Sequence, residues 1–273
     1  MCRTKEKRVT RPASLSLLNP VHGAQVAPQR CPILHDGKKH FYDTICIRFM
    51  SMYNCCAEGV QFAATEVFSF LRRHCSVLNG AGVQRERYNH SVLNNHIRNL
   101  GYEEHAIHTG PLIRRESVYK NDLMEDRKRL FNALFNFARK LDFKYICPKI
   151  KKSECSDVVS MTGKLSREIK NVLARHEMFW NGFDKVIIYY DNGQVELTKI
   201  LSSVFNVLYT DVEFRKVTPV DYKLFQVADL VCTMELLNEK SENRSFSNSE
   251  TEFFCSIRDF KKNYLKPIQK KKL

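Results

Sequence analysis

No stretch of this 273-residue chain approaches the ~18 consecutive apolar residues that a membrane-crossing helix needs, so a spanning segment is not expected. No two of its ten cysteines stand as Cys-x-x-Cys, which leaves a zinc site little support. There is no convincing signal peptide, so a disulfide framework is not expected either. The reading is of reduced thiols in a cytoplasmic protein with no disulfide-linked partner. The thiols are unevenly spread: six lie in residues 1–88 and four in the remainder. Acidic residues are also scarce in one place, since none lies between Glu6 and Asp36.

That scarcity of acid is general. The chain has 44 Lys and Arg against 30 Asp and Glu, a net charge of +14. Such an excess points to polyanionic partners, nucleic acid first. Residues 258–273 alone hold seven bases and one acid, and a tail of this kind is usually a solvated, disordered one. Hydrophobic content of 43% and charged content of 27% suit a globular protein with a substantial core. Residues 1–40 carry four of the eight prolines and no periodic pattern, and read as a disordered basic leader. Residues 41–88 are poorly defined. Ile45, Ile47 and Phe49 alternate as in a short strand, while Phe62, Val67, Phe68 and Leu71 suit one helix.

The most informative stretch runs from Lys185 to Leu230. Val186, Ile187, Ile188, Tyr189 and Tyr190 read as a strand buried on both faces. Asp191-Asn192-Gly193 ends it. A helical pattern follows from Val195 to Leu208, then a strand from Val212 to Val217 closed by Thr218-Pro219. Next comes a helix whose apolar run, Leu224 to Val231, is interrupted by Asp229. Asp191 sits at the carboxyl end of a central strand, where ligands of open α/β sheets bind. Asp229 is an acid that burial would penalise without a partner. Each has a plain structural reading: Asp191 starts a turn and caps a helix, and Asp229 accepts from a backbone N–H or a Lys. Together they suit a divalent-metal site.

Elsewhere the pattern is of alternating strands and helices. Helices are expected near Val92–Leu100, from Asp122 to Leu141 and from Lys164 to Trp180, with a strand over Phe143–Ile150 and a closing helix over Ser247–Phe260. Asp122 with Glu125 fits a variant capping box. Arg127, Lys128, Arg139 and Lys140 read as the outer face of that helix. Ser249 and Glu252 suit the first turn of the closing one. This order implies a layered α/β sheet with right-handed crossovers.

The residues 187–194, 212–230 and 105–116 resemble the bacterial domain-of-unknown-function family 3800, over roughly Asn89 to the C-terminus. The Tyr190-Asp191-Asn192-Gly193 strand end and the Gln226-Val227-Ala228-Asp229-Leu230 helix are its most specific parts. The resemblance implies an RNase H-like layered sheet over 89–265, with a basic tail at 266–273. It implies metal-dependent phosphodiester hydrolysis with Mg²⁺ or Mn²⁺ on Asp191 and Asp229. It places His108 near the active centre, with His105 a weaker candidate. Arg114, Arg115 and Lys216 would meet phosphates and Gln226 would support the metal site. The family's opening Asp-Glu-Ser-Gly motif is absent, so the N-terminal strands are expected to be degenerate or missing. Asp36, Asp43, Glu58 and Glu66 are the candidates for a replacement acid. Three readings follow: a metal-dependent nuclease-like enzyme, a non-catalytic basic nucleic-acid-binding domain, or a frameshifted or truncated remnant behind a meaningless leader.

Overall fold

The structure is a computed structural model. It describes residues 42–50, 62–71 and 91–273, apart from 152–153, 181–184, 192–194, 209–211 and 221. All of these belong to the unit Lys39–Leu273, and the leader expected over 1–40 lies outside the described residues.

The fold is mixed α/β, as the alternating pattern predicts. Six strands form one sheet: β1 (Tyr42–Met50), β2 (Phe62–Leu71), β3 (Phe143–Ile146), β4 (Lys149–Lys151), β5 (Lys185–Asp191) and β6 (Val212–Val217). Their order is β3-β2-β1-β5-β6, with β4 also paired to β2. β2 runs antiparallel to β1, β3 and β4, whereas β1, β5 and β6 are parallel. Two expectations are corrected here. The N-terminal strands are present as β1 and β2. Residues 62–71 form a strand, not a helix, because they pair on both sides with chain that the local pattern does not reveal. The strand expected over 143–150 is two strands, broken around Pro148, which has no N–H for a ladder.

Helix α1 spans residues 91–99 and buries Leu93 and Ile97. It is followed by α2 (Thr109–Arg114), a 3₁₀ turn (Ser117–Tyr119) and α3 (Met124–Lys140). α3 is capped by Leu123 without a side-chain bond, and Leu123 is 68% exposed. Asp122 is therefore not the cap; it accepts from the Tyr102 hydroxyl instead. Nor is Arg127 on the outer face. It is buried, and its Nη1 donates to the carbonyls of Leu112 (2.9 Å) and Ile113 (3.0 Å), oxygens that the end of α2 leaves without intrahelical donors.

α4 (Val158–Arg175) starts six residues earlier than Lys164, because Asp157 accepts from the Ser160 N–H at 2.7 Å and caps it there. That bond holds the Asp157 carboxyl below its ordinary range. α5 (Glu177–Trp180) and α6 (Val195–Leu208) follow. α7 (Lys223–Glu242) is the longest helix and is buried continuously from Phe225 to Leu237. A helix buried all round occupies the centre of its layer, and α7 crosses β1 and β2.

Strand alternation assigns the two faces. Tyr145 enters the core shared by α1, α2, α3 and α7, while the next residue, Ile146, joins Leu165, Ile169, Trp180, Val186, Ile188 and Phe205 in the core beneath α4 and α6. Tyr189 faces the α7 side, stacked on Tyr222 with ring centroids 4.8 Å apart.

The C-terminal residues form α8 (Asn248–Phe254), α9 (Ile257–Asp259), a π-helical stretch (Phe260–Leu265) and α10 (Lys266–Gln269). α8 begins at a full capping box of Ser247 and Glu250, two residues before the pair expected. Ser247→Ala should lower stability by about 0.5–2 kcal/mol, read as a shift in urea midpoint with an unchanged slope. A basic tail was expected over 266–273; these residues are docked instead. Ile268 is fully buried, the Tyr145 N–H donates to the Lys271 carbonyl (3.0 Å) and the Leu273 N–H donates to the Tyr145 carbonyl (3.0 Å). The tail thus bridges in parallel to β3. Its lysines lie over aromatic rings: Lys271 Nζ is 4.9 Å from the Phe143 centroid.

Candidate functional site

α7 presents four buried polar side chains in its apolar run: Gln226, Asp229, Thr233 and Glu235. Gln226, Asp229 and Thr233 are spaced three and four apart and so share one stripe of the helix. Glu235 lies off that stripe, with Glu239 one turn further along.

Asp229 is 2% exposed, and its Oδ2 accepts from the Thr109 backbone N–H at 2.6 Å. Thr109 opens α2, whose cap residue His108 offers no side-chain bond to the helix. The first N–H groups of a helix have no partner within it. Asp229 therefore does from α7 what a capping side chain does locally, placing a carboxylate against the positive end of α2. This is the structural reading of Asp229 that the sequence left open. It does not conflict with a second role for the remaining oxygen.

Gln226 is fully buried, and its Nε2 donates to the Pro219 carbonyl at 3.1 Å. A carbonyl can face only the amide nitrogen, so the orientation of this side chain is fixed. Its Oε1 has no hydrogen-bond partner, and neither has the buried Thr109 hydroxyl. Two buried oxygens without partners thus flank Asp229, one through the backbone of α2 and one through the stripe of α7. Buried polar atoms of this kind usually mark a bound water or ion. The donor set is all oxygen, which suits a hard cation.

Above this group lies a cleft of about 420 Å³, lined by Glu104, His105, His108, Tyr119, Pro219 and Val220 among others. It opens where β6 hands the chain to α7, the carboxyl end of the parallel strands. His108 is exposed at its rim, and its N–H donates to the Tyr119 hydroxyl at 3.2 Å. Arg115 and Ser117, beside the cleft, adopt left-handed φ angles of 61° and 55°, conformations that non-glycine residues rarely take.

The other expected site residues are dispersed. Asp191 is the last residue of β5, paired with Val217. Arg114 forks onto Glu116 with bonds of 2.9 and 3.0 Å. Arg115 Nε donates to the Lys120 carbonyl at 2.9 Å. Lys216 is exposed on the outermost strand, β6, next to Arg215, which binds Glu213 at 2.6 Å and the Tyr189 hydroxyl at 3.2 Å. The structure thus gathers His108, Gln226 and Asp229 around the start of α2, while Arg114 and Arg115 lie at its far end. Among the described residues, no three His, Cys, Asp or Glu side chains converge as a metal-ligand group. Their four cysteines, Cys147, Cys155, Cys232 and Cys255, are free thiols. Among them no helix is long and apolar enough to cross a membrane.

One buried acid escaped the sequence reading. Glu235 is 1% exposed and accepts from the Tyr145 hydroxyl (2.8 Å), Lys149 Nζ (3.0 Å) and Lys272 Nζ (3.2 Å). The sign that picked out Asp229, an acid within an apolar helical run, was equally present at Glu235. Compared with protein-family models, curated proteins and solved structures, the chain has no significant match.

Proposed function

We propose that this chain is an RNase H-like domain of the metal-dependent nuclease type, with hydrolysis impaired by the loss of its first acidic motif. One observation carries the reading. A parallel β1-β5-β6 half joins an antiparallel β1-β2-β3 half, and the helix crossing β1 and β2 bears a buried Asp229. Asp191 ends β5, the central neighbour of β1. The net charge of +14 supports a nucleic-acid substrate.

The register bears on the replacement acid. Asp43 pairs with Val186, five residues before Asp191 and so roughly 16 Å away along the strand. Glu66 pairs with Phe49, at the end of the sheet where Asp191 lies. Of the four candidates, Glu66 is the better placed. Asp36 and Glu58 lie outside the described residues.

In this reading Asp191 and Asp229 hold a Mg²⁺ or Mn²⁺ ion through oxygen, and Gln226 supports it. The ion supplies Lewis-acid chemistry and a more acidic bound water. Lys216, Arg114 and Arg115 neutralise phosphates, the two arginines through planar forks. His108 orients a phosphate oxygen at the rim of the cleft.

A second reading, a non-catalytic nucleic-acid-binding domain, is favoured by one observation. Extending the β1–β5 register two residues past the Cys46–Tyr189 pair sets Arg48, a cation, level with Asp191. The test uses labelled single-stranded and duplex DNA and RNA. Expected are binding whose log affinity falls linearly with log salt, and slow cleavage with Mn²⁺ that vanishes in Asp229→Asn, Asp191→Asn and Glu66→Gln. Binding with no cleavage under any metal establishes the second reading. Absence of binding overturns both.

A further inference from the structure

We infer that the start of α2 and the stripe of α7 enclose a site for one small, hard divalent cation, held by an Asp229 carboxylate oxygen, the Gln226 Oε1 and the Thr109 Oγ1. The inference shares Asp229 with the nuclease reading and rests on none of its chemistry. Asp191 is not part of it.

The argument begins with burial. Thr109 and Gln226 are fully buried and Asp229 nearly so. The Thr109 Oγ1 and Gln226 Oε1 have no hydrogen-bond partner, a state that costs about 1–3 kcal/mol for each buried group. Neither side chain is loose. Gln226 is tied through its nitrogen to the Pro219 carbonyl, and Thr109 is tied through its N–H to Asp229 itself. Each tie leaves one oxygen uncommitted. The three residues are brought together by those ties, at the junction where α2 meets α7.

What could satisfy this group follows from its chemistry. A water has protons for the amide oxygen, but it brings no charge to a site that already contains a carboxylate. A cation satisfies both neutral oxygens and the carboxylate at once. Hydroxyl, amide carbonyl and carboxylate are hard ligands, which select Mg²⁺ or Mn²⁺ over softer metals. Small divalent ions keep several waters and need only one or two carboxylates. The cleft above, which shares His108 and Pro219 with the residues adjoining this group, supplies the route by which the hydrated ion enters. Bound there, the ion would pin α2 to α7 and fix the floor of the cleft.

The experiment is a Mn²⁺ titration of the full chain, followed by the loss of the free-ion electron paramagnetic resonance signal and by the thermal midpoint. Expected is one Mn²⁺ per chain with a rise in midpoint that Mg²⁺ reproduces. Gln226→Leu and Thr109→Val should each weaken binding by about 10- to 100-fold, as disturbing a metal's surroundings commonly does. Gln226→Glu, which keeps the oxygen and adds charge, should bind more tightly, and it covers the case in which Thr109→Val fails to fold. Asp191→Asn should leave binding unchanged. Two results overturn the inference. Absence of Mn²⁺ binding would mean that the two oxygens hold water. Binding lost in Asp191→Asn but intact in Gln226→Leu would place the ion on the Asp191–Asp229 pair and leave the nuclease reading standing alone.

Discussion

Glu235→Ala is expected to destabilise the protein by about 3–5 kcal/mol, the usual consequence of removing one partner from a buried ion pair. The Glu235 carboxylate is 1% exposed and draws together three elements that are remote in sequence. Tyr145 comes from β3, Lys149 from β4 and Lys272 from the docked tail. Without it, Lys149 keeps Glu239 at 2.6 Å, but the Tyr145 hydroxyl and Lys272 lose their acceptor. The tail should then lift from β3 and expose a sheet edge. Glu235→Gln keeps an acceptor and should cost less, about 1–3 kcal/mol. Urea unfolding measures both, and exchange of the Leu273 amide reports the tail.

The same cluster sets a pH window. Burial by itself would raise the Glu235 carboxyl, but Lys149 and Lys272 outweigh it and hold the group below its ordinary value of 4.5. A lowered carboxylate gives stability that is complete above about pH 4.5 and lost as pH falls through the folded value. Burial likewise works against the Lys149 ammonium, and Glu235 and Glu239 override it, raising that group above 10.5. Its contribution is complete below about pH 10.5 and lost as pH rises through the folded value. Wild type should therefore hold a plateau between these limits, and Glu235→Ala should flatten the acid limb.

Local pattern made some of this architecture legible and left the rest hidden for identifiable reasons. The strand Val212–Val217 and the helix Val195–Leu208 emerge at their expected bounds, because their periodicity is strong and Gly193 and Pro219 punctuate them. β2 misleads because Phe62, Val67, Phe68 and Leu71 fit a helical face, while its strand form depends on partners as far away as Phe143. The tail misleads by charge. Lys271 and Lys272 carry long apolar stems that cover rings while their ammonium groups find Leu141 and Glu235. Asp229 was legible as a buried acid, but its bond to Thr109, 120 residues away in the chain, was not. Thr109 itself has no feature in the sequence that marks it, since its importance comes only from the burial of an oxygen.

Asp229 decides between a structural and a chemical use of the α7 stripe, and two substitutions separate them. Asp229→Ala removes the acceptor of the Thr109 N–H and leaves that donor buried at a helix end, which should cost about 1–3 kcal/mol. Asp229→Asn retains an oxygen for the same N–H and should stay within about 1 kcal/mol of wild type, the worth of exchanging a charged for a neutral bond. If Asp229 only caps α2, the asparagine variant behaves as wild type in every assay. If it also serves hydrolysis, the asparagine variant unfolds like wild type and yet loses all Mn²⁺-dependent cleavage. Exchange of the Thr109 amide closes the argument: it should accelerate in Asp229→Ala and stay protected in Asp229→Asn. Accelerated exchange in both would mean that the charge, and not only the acceptor, holds α2 against α7. Loss of cleavage in Asp229→Asn could then be traced to a displaced α2 and His108 as readily as to a missing ligand. The Glu66 and Asp191 variants would then have to carry the case for catalysis, because neither residue hydrogen-bonds α2 in the way Asp229 does.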